Sequence, residues 1–405
     1  MTAHAGLEML ARGAVLSPFT HLRRLLETVP AGHAQPIELT VGEPRETMPS
    51  FVVEKIREAE KDFARYPMIR GTDELRAAIA AWIGRRYGAG IAIDPAREVQ
   101  PICGSREGLF FAALPAVGRR PGVERPAILF PNPYYQAYVG AALATNSEPV
   151  YMSATRETGF LPDLDTLEKD TDLLRRTVAF YVCSPSNPQG SVATPAYLRR
   201  ALALARQYDF MLFCDECYSE IYTREPPTGA LQVAAATPER FRNLVVLNSL
   251  SKRSNLPGLR SGLVAGDPDF LEMYAEIRNM TAPQMPYPVQ HASAAIWAEE
   301  QHVAVNRQAY RAKFDVCDEV LGGRYGYSRP DGGFFLWLDM SHFGGGIEAT
   351  VTLWKRCGVK VLPGAFLAQE DRFGVNPGRD YVRVALVQDV ATIREALRRI
   401  IQVAG

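Results

Sequence analysis

Cysteine is scarce in this chain: six occur in 405 residues, Cys103, Cys183, Cys214, Cys217, Cys317 and Cys357. Most sit inside apolar runs, which suits reduced, buried thiols and argues against a disulfide framework. Cys214 and Cys217 have a C-x-x-C spacing in "FCDECY" (213–218), yet no second pair exists to complete a zinc site. A redox pair normally opens a helix after its strand and carries no acidic pair between its thiols. We therefore expect no metal. Net charge is also missing, with 45 Lys+Arg against 45 Asp+Glu, so no global field draws the protein to nucleic acid or an anionic membrane. The pairs Arg85-Arg86, Arg175-Arg176 and Arg199-Arg200 are scattered through amphipathic segments and read as solvated helix faces. No window approaches the ~18 uncharged apolar residues of a membrane span. The opening "MTAHAGLEML" lacks a basic stretch followed by an apolar core, so a cytoplasmic protein is expected. Nothing before Gly42 is long or basic enough for a helix-turn-helix module.

What is present is the composition of a globular protein, 47% hydrophobic and 22% charged. A chain of this length exceeds the ~250–300 residues at which single cores stop growing, so a large and a smaller domain are expected. Continuous apolar runs at 127–130, 149–152, 178–184, 210–215 and 244–249 end in small or polar residues, as do strands buried on both faces. Helical patterns lie between them. In "TPAYLRRALALARQY" Thr194 is placed as N-cap and Pro195 at the first helical position. Leu75, Ile79, Trp82 and Ile83 form one stripe before Gly88 ends the segment. Strand–helix–strand at this spacing gives an α/β fold with a mostly parallel sheet, whose ligands sit at the carboxyl ends of the strands. Asn132, Asn187, Asp215 and Ser249 cluster there. The Pro-rich 281–290 segment and a long helical pattern from about Ala292 to Val320 lead into a second domain, with strands around 332–340, 359–364 and 381–387. We expect an N-terminal arm (1–45) packing with the small domain, a large domain (46–290) and a small C-terminal domain (291–405).

The segment "NSLSKRSNLPGLRSG" (248–262) carries the most chemistry. Lys252 directly follows a strand, between serines and eight residues before Arg260. A desolvated lysine amine is a nucleophile. Hydroxyls and a guanidinium fork suit a phosphate. A lysine able to form a Schiff base beside an anion cradle points to pyridoxal phosphate. Arg383, on a strand reading "YVRVALV", needs a partner if buried, and a substrate carboxylate would supply one.

This lysine segment resembles that of the fold-type I, class I/II aminotransferases, and further motifs follow in the family's order: "VGEP" (41–44), "RYP" (65–67), "GSREGLF" (104–110), "NPYYQAY" (132–138), "SPSNPQG" (184–190), "DECY" (215–218) and "YVRVAL" (381–386). The resemblance implies the aspartate-aminotransferase-like fold, with a seven-stranded sheet in the large domain. It implies that pyridoxal phosphate is held by Lys252 and that Lys252 then moves a proton. Asp215 would pair with the ring nitrogen, Tyr218 and Asn187 would donate to the ring oxygen, and Tyr135 would stack on the ring, with Tyr134 or Tyr138 as competitors. Ser105, the Arg106 backbone, Ser249, Ser251 and Arg260 would hold the phosphate. Tyr66 would reach in from a partner subunit, making a homodimer part of the function. Arg383, the Asn187 side chain and the Gly42 backbone would take the substrate α-carboxylate.

Within the family, "SLSKRSNLPGLRSG", "GSREGLF" and "RVALV" are most similar to the N-succinyldiaminopimelate branch of lysine biosynthesis, which implies glutamate and 2-oxoglutarate as the second substrate pair. Aspartate, alanine or aromatic substrates are the near alternatives, and a β-lyase is the alternative of another reaction class. No single arginine is marked for a distal carboxylate; Arg70, Arg106 and Arg24 are the candidates, Arg70 because it lies four residues from Tyr66. "YPMIRG" departs from the small-residue turn of that branch.

Overall fold

The computed structural model describes residues 5–12, 16–88 and 90–404. Twelve strands run among them: β1 (Ile37–Glu38), β2 (Val99–Ile102), β3 (Ala127–Asn132), β4 (Glu148–Ser153), β5 (Thr177–Cys183), β6 (Met211–Asp215), β7 (Leu244–Ser249), β8 (Gly262–Gly266), β9 (Phe335–Asp339), β10 (Val359–Lys360), β11 (Leu362–Pro363) and β12 (Tyr381–Ala385). Seven form one sheet in the order β2-β8-β7-β6-β5-β3-β4. All neighbours pair in parallel except those of β8, which runs against both β2 and β7. Strands β3, β5, β6 and β7 are buried along their whole length, which explains their uninterrupted apolar sequences. The run at 149–152 differs. As part of the edge strand β4 it is only half-buried, because one side has no neighbouring strand. The glycine-rich strand β8 gives no apolar-run signal, and the lysine segment runs into it.

Helices cover both faces of this sheet, giving two separate apolar clusters. The helix Asp73–Tyr87 buries the Leu75, Ile79, Trp82 and Ile83 stripe and stops at Gly88, as its pattern predicts. Thr194 caps Pro195–Tyr208 by accepting from the Tyr197 amide at 3.1 Å.

A second core surrounds the antiparallel sheet β11-β12-β9, flanked by the parallel pair β1-β10. The helical pattern from Ala292 to Val320 breaks into Tyr287–Ala298 and Gln301–Leu321. Ala294, Ile296 and Trp297 pack in the core of the large sheet, whereas Tyr310, Phe314 and Cys317 pack in the second core. The chain thus passes from the core of the large sheet to the second core between Ala298 and Gln301. The N-terminal arm bridges the two parts. Its residues 37–38 pair with β10, while Gly6 packs on the backbone of Leu143 in the large part. Residues 1–4 and 13–15 of the arm lie outside the described residues.

Candidate active site

The carboxyl ends of β3, β5, β6 and β7 open into a cavity of about 490 Å³. Its lining brings together Gly42, Ser105, Arg106, Tyr135, Asn187, Asp215, Tyr218, Ser249, Ser251, Lys252, Arg260 and Arg383. These come from seven motifs spread over more than three hundred residues of sequence. Three other sequence candidates lie elsewhere. Tyr66 is 97% exposed on its own chain. Arg70 is ion-paired to Glu272 at 2.6 Å and Glu276 at 3.6 Å, outside the cavity lining. Arg24, on the helix Pro18–Leu26, does not line the cavity either.

Lys252 sits on the one-turn helix Leu250–Arg253, which Ser249 caps by accepting from the Ser251 amide at 3.0 Å. Burial, with the cations Arg383 and Arg106 nearby, lowers the lysine pKa from 10.5 to about 8, although Cys217 and Glu43 act in the opposite sense. Its Nζ donates to the Gly42 carbonyl oxygen. Gly42 must be glycine for this approach, since a Cβ there would meet the Phe335 ring at 2.5 Å.

Asp215 ends β6 and is 6% exposed. Burial raises its pKa, while bonds from Cys217 and Tyr138 act to lower it. Tyr138 Oη donates to Asp215 Oδ2 at 2.8 Å, and the Cys217 amide donates to Oδ1 at 3.2 Å. From the sequence Tyr138 is only a competitor for stacking; in the structure it is the donor to Asp215. The signal for its actual place is helical spacing: three residues after Tyr135, on the helix that starts at Gln136, it turns back toward the strand ends. The turn after Asp215 carries Tyr218 and is held by Asn248 Nδ2, which donates to the Glu216 carbonyl and the Ser219 Oγ, both at 3.0 Å.

β6 ends at Asp215, so Cys214 lies on the strand and Cys217 in the turn after it. The two sulfurs are separated. Cys214 packs in the core beneath one face of the large sheet, and Cys217 lines the cavity together with Cys183. Burial raises the pKa of both C-x-x-C thiols. Among the described residues no cluster of three or more His, Cys, Asp or Glu is assembled that could hold a metal ion.

Two features of the cavity fit a phosphorylated pyridine, and a third fits a further anion. First, the helix Ser105–Gly118 opens at Gly104, φ +85°, where a Cβ would lie 2.4 Å from the Arg260 guanidinium. Glycine thus lets Arg260 lie across a free helix N-terminus, an anion site by position and charge. Arg260 (φ +57°) is steadied by the Pro257 and Cys103 carbonyls at 2.7 and 3.1 Å, and the Ser249 and Ser251 hydroxyls stand 2.8 Å apart beside it in the same cavity. Second, Asp215 is a buried carboxylate whose surroundings supply hydrogen bonds but no paired cation, so a cationic ring nitrogen would complete it. Third, Arg383 is 5% exposed, with Nε unpartnered. Its other nitrogens donate to Asn187 Oδ1 at 3.2 Å and the Thr40 carbonyl at 2.7 Å. Burial lowers its pKa to about 10, the cost of a cation awaiting an anion.

A family model described as aminotransferase class I and II matches residues 34–400. The chain belongs to this family. Class I and II aminotransferases use pyridoxal phosphate, and the first two features above match what that cofactor requires. Among similar solved structures is an aminotransferase from Neisseria meningitidis Z2491, 37% identical, with a TM-score of 0.90 over 96% of this chain and 98% of that one. An LL-diaminopimelate aminotransferase from Moorella thermoacetica is 30% identical over 374 residues, 91% of each chain. Another, from Syntrophobacter fumaroxidans, is 29% identical over 387 residues, 94% of each. The aspartate-aminotransferase-like fold expected from the motifs is therefore the fold of this chain. No helix among the described residues is long and apolar enough to cross a membrane.

Proposed function

We propose that this aminotransferase exchanges an amino group between the glutamate/2-oxoglutarate pair and a long amino acid with a distal carboxylate, N-succinyl-LL-2,6-diaminopimelate being the partner favoured by the lysine, phosphate and carboxylate motifs. Pyridoxal phosphate, when bound, supplies the carbonyl carbon that accepts the amino group and a ring that draws electrons from the substrate Cα. Lys252 would hold it through Nζ. Asp215, kept in place by Tyr138, would keep the ring nitrogen protonated. Tyr218 and Asn187 would donate to the ring oxygen, Tyr135 would cover the ring, and Ser105, the Arg106 backbone amide, Ser249, Ser251 and Arg260 would take the phosphate. Lys252, once free, is a desolvated amine able to take a proton from the substrate Cα at neutral to mildly basic pH. Arg383, with Asn187 and Gly42, would orient the α-carboxylate. Tyr66, exposed on its own chain, would complete the phosphate site of the partner in a homodimer.

The observation that carries the substrate reading is a third cavity arginine. Arg260 and Arg383 have places at the phosphate and the α-carboxylate. Arg106 is left over: its Nε donates to Tyr135 Oη at 2.6 Å and its guanidinium lies 5.4 Å from that ring. Arg70 already serves two carboxylates. We therefore move the distal-carboxylate role from Arg70 to Arg106. The relatives named for LL-diaminopimelate favour that unsuccinylated compound as a second reading.

A panel of amino donors tests this with wild-type and Arg106→Gln protein: N-succinyl-LL-2,6-diaminopimelate, LL-diaminopimelate, aspartate, alanine and phenylalanine with 2-oxoglutarate, and glutamate by its half-reaction with the cofactor-loaded protein. The expected result is a preference for the succinylated compound, and a KM for glutamate raised about tenfold in the variant with alanine little changed. Equal effects on glutamate and alanine would remove Arg106 from the role. Pyruvate and ammonia released without a keto-acid acceptor would instead indicate a β-lyase.

A further inference from the structure

Asn132 ends β3, is fully buried, and takes no part in the roles assigned above. Its side chain spans the two domains. Nδ2 donates to the Gln369 carbonyl oxygen at 2.7 Å, and Oδ1 accepts from the Gln369 amide at 3.0 Å, so one carboxamide clasps both polar groups of one backbone residue. Two residues on, the Tyr134 amide donates to the Leu367 carbonyl at 3.0 Å. On the neighbouring strand Ser153, the residue paired with Asn132, donates from Oγ to Asp371 Oδ2 at 2.6 Å. Asp371 in turn braces its own loop, with Oδ1 accepting from the Phe373 and Val375 amides at 2.9 and 3.1 Å.

These bonds join two parts of the site that have to be set relative to each other. On the large-domain side, Asn132 leads directly into Tyr134 and Tyr135. On the small-domain side, the 367–371 segment follows β11, whose Leu362 pairs with Arg383 on β12. Leu367 and Tyr134 both line the cavity. The spacing between the aromatic wall and the carboxylate-binding arginine thus passes through this clasp.

We propose that Asn132 is a positioning residue for amino-acid binding, with Ser153–Asp371 as its outer support: it fixes the 367–371 segment against the Tyr134–Tyr135 loop and thereby sets the distance between Tyr135 and Arg383. A carboxamide suits this task because it donates and accepts at once. Alanine does neither, and an ionised aspartate would present charge to the Gln369 carbonyl. The inference rests on family membership and does not depend on which amino acid the enzyme prefers. The phosphate cradle, Asp215 and Lys252 lie outside the clasp and Tyr135 is the one proposed cofactor contact it touches, so cofactor retention should change far less than amino-acid binding.

The test uses cofactor-loaded wild-type, Asn132→Ala and Ser153→Ala protein, with L-glutamate as the probe. Three quantities are read: the cofactor dissociation constant, the KM and kcat for glutamate, and hydrogen exchange at residues 367–376. For Asn132→Ala we expect exchange at 367–376 to accelerate at least tenfold and KM to rise at least tenfold, with the cofactor constant within about threefold of wild type and kcat falling less than KM rises. Ser153→Ala, at a half-buried position where folding is not at stake, should show the same pattern more weakly. Unchanged exchange in both variants would overturn the inference, as would cofactor loss in step with the rise in KM. If wild-type protein does not accept glutamate, the donor assignment fails, while the exchange and cofactor readouts still decide the clasp.

Discussion

Tyr138 Oη lies 2.8 Å from Asp215 Oδ2, a buried hydroxyl donating to a buried carboxylate at the cavity wall. Burial pushes the tyrosine pKa well up, so this hydroxyl keeps its proton and acts as a donor. Tyr138→Phe leaves the carboxylate with one bond fewer in the same apolar surroundings. Losing a bond to a buried charged group costs about 1–3 kcal/mol, so cofactor affinity or kcat should fall roughly 5- to 100-fold. Cofactor titration of the variant checks this; wild-type affinity and kcat together would show that Asp215 needs no such support.

Lys252 gives a pH dependence. Its pKa in the folded chain is about 8, below the ordinary 10.5 that the unfolded chain retains. Between these values the unfolded chain binds a proton that the folded chain does not. This group therefore opposes folding below pH 8, and its contribution improves as pH rises from about 8 toward 10.5. The neutral amine should likewise appear with a midpoint near pH 8. Competitive acylation of the cofactor-free protein, followed by peptide mass analysis, measures that midpoint; a value near 10.5 would mean that the amine is not desolvated.

The shared site can be tested by mixing defects. Lys252→Ala removes the lysine from its own site, whereas Tyr66→Ala should damage the partner's. Random reassortment of the two variants makes about half of the dimers hybrid, each with one site intact, so activity should recover to about a quarter of wild type. Activity no higher than the sum of the parent variants would place Tyr66 outside the neighbouring site.

The C-x-x-C pair separates into a core thiol and a cavity thiol. Cys214→Ala should cost about 1 kcal/mol of stability by leaving a small void in the core. The Cys214→Ala/Cys217→Ala double variant should still bind pyridoxal phosphate, because neither thiol is needed for its phosphate, nitrogen or amine contacts. Absorbance and metal analysis check this; zinc in the wild-type protein, lost together with the cofactor in the variant, would reverse it.

Much of this architecture is legible along the chain because buried parallel strands write themselves as apolar runs ending at Asn132, Asp215 and Ser249, and ligand chemistry gathers where such runs stop. Short or glycine-rich strands such as β2 and β8 leave no comparable trace. Tyr138 was hidden because three tyrosines within five residues are equivalent until a helix turns one toward Asp215. Arg70 was misleading because proximity in sequence to Tyr66 says nothing of Glu272 and Glu276, which come from a helix two hundred residues away. The Asn132–Gln369 clasp joins positions 237 residues apart, a pairing that no local pattern announces.

The most direct measurement is a single half-reaction. Wild-type and Lys252→Ala protein, each loaded with pyridoxal phosphate, are mixed with glutamate in the absence of any keto acid. We predict one equivalent of 2-oxoglutarate per wild-type site, with loss of the visible cofactor band, and none from the variant. Cofactor-loaded wild-type protein that yields no 2-oxoglutarate, or Lys252→Ala protein that yields it at the wild-type rate, would contradict the assignment.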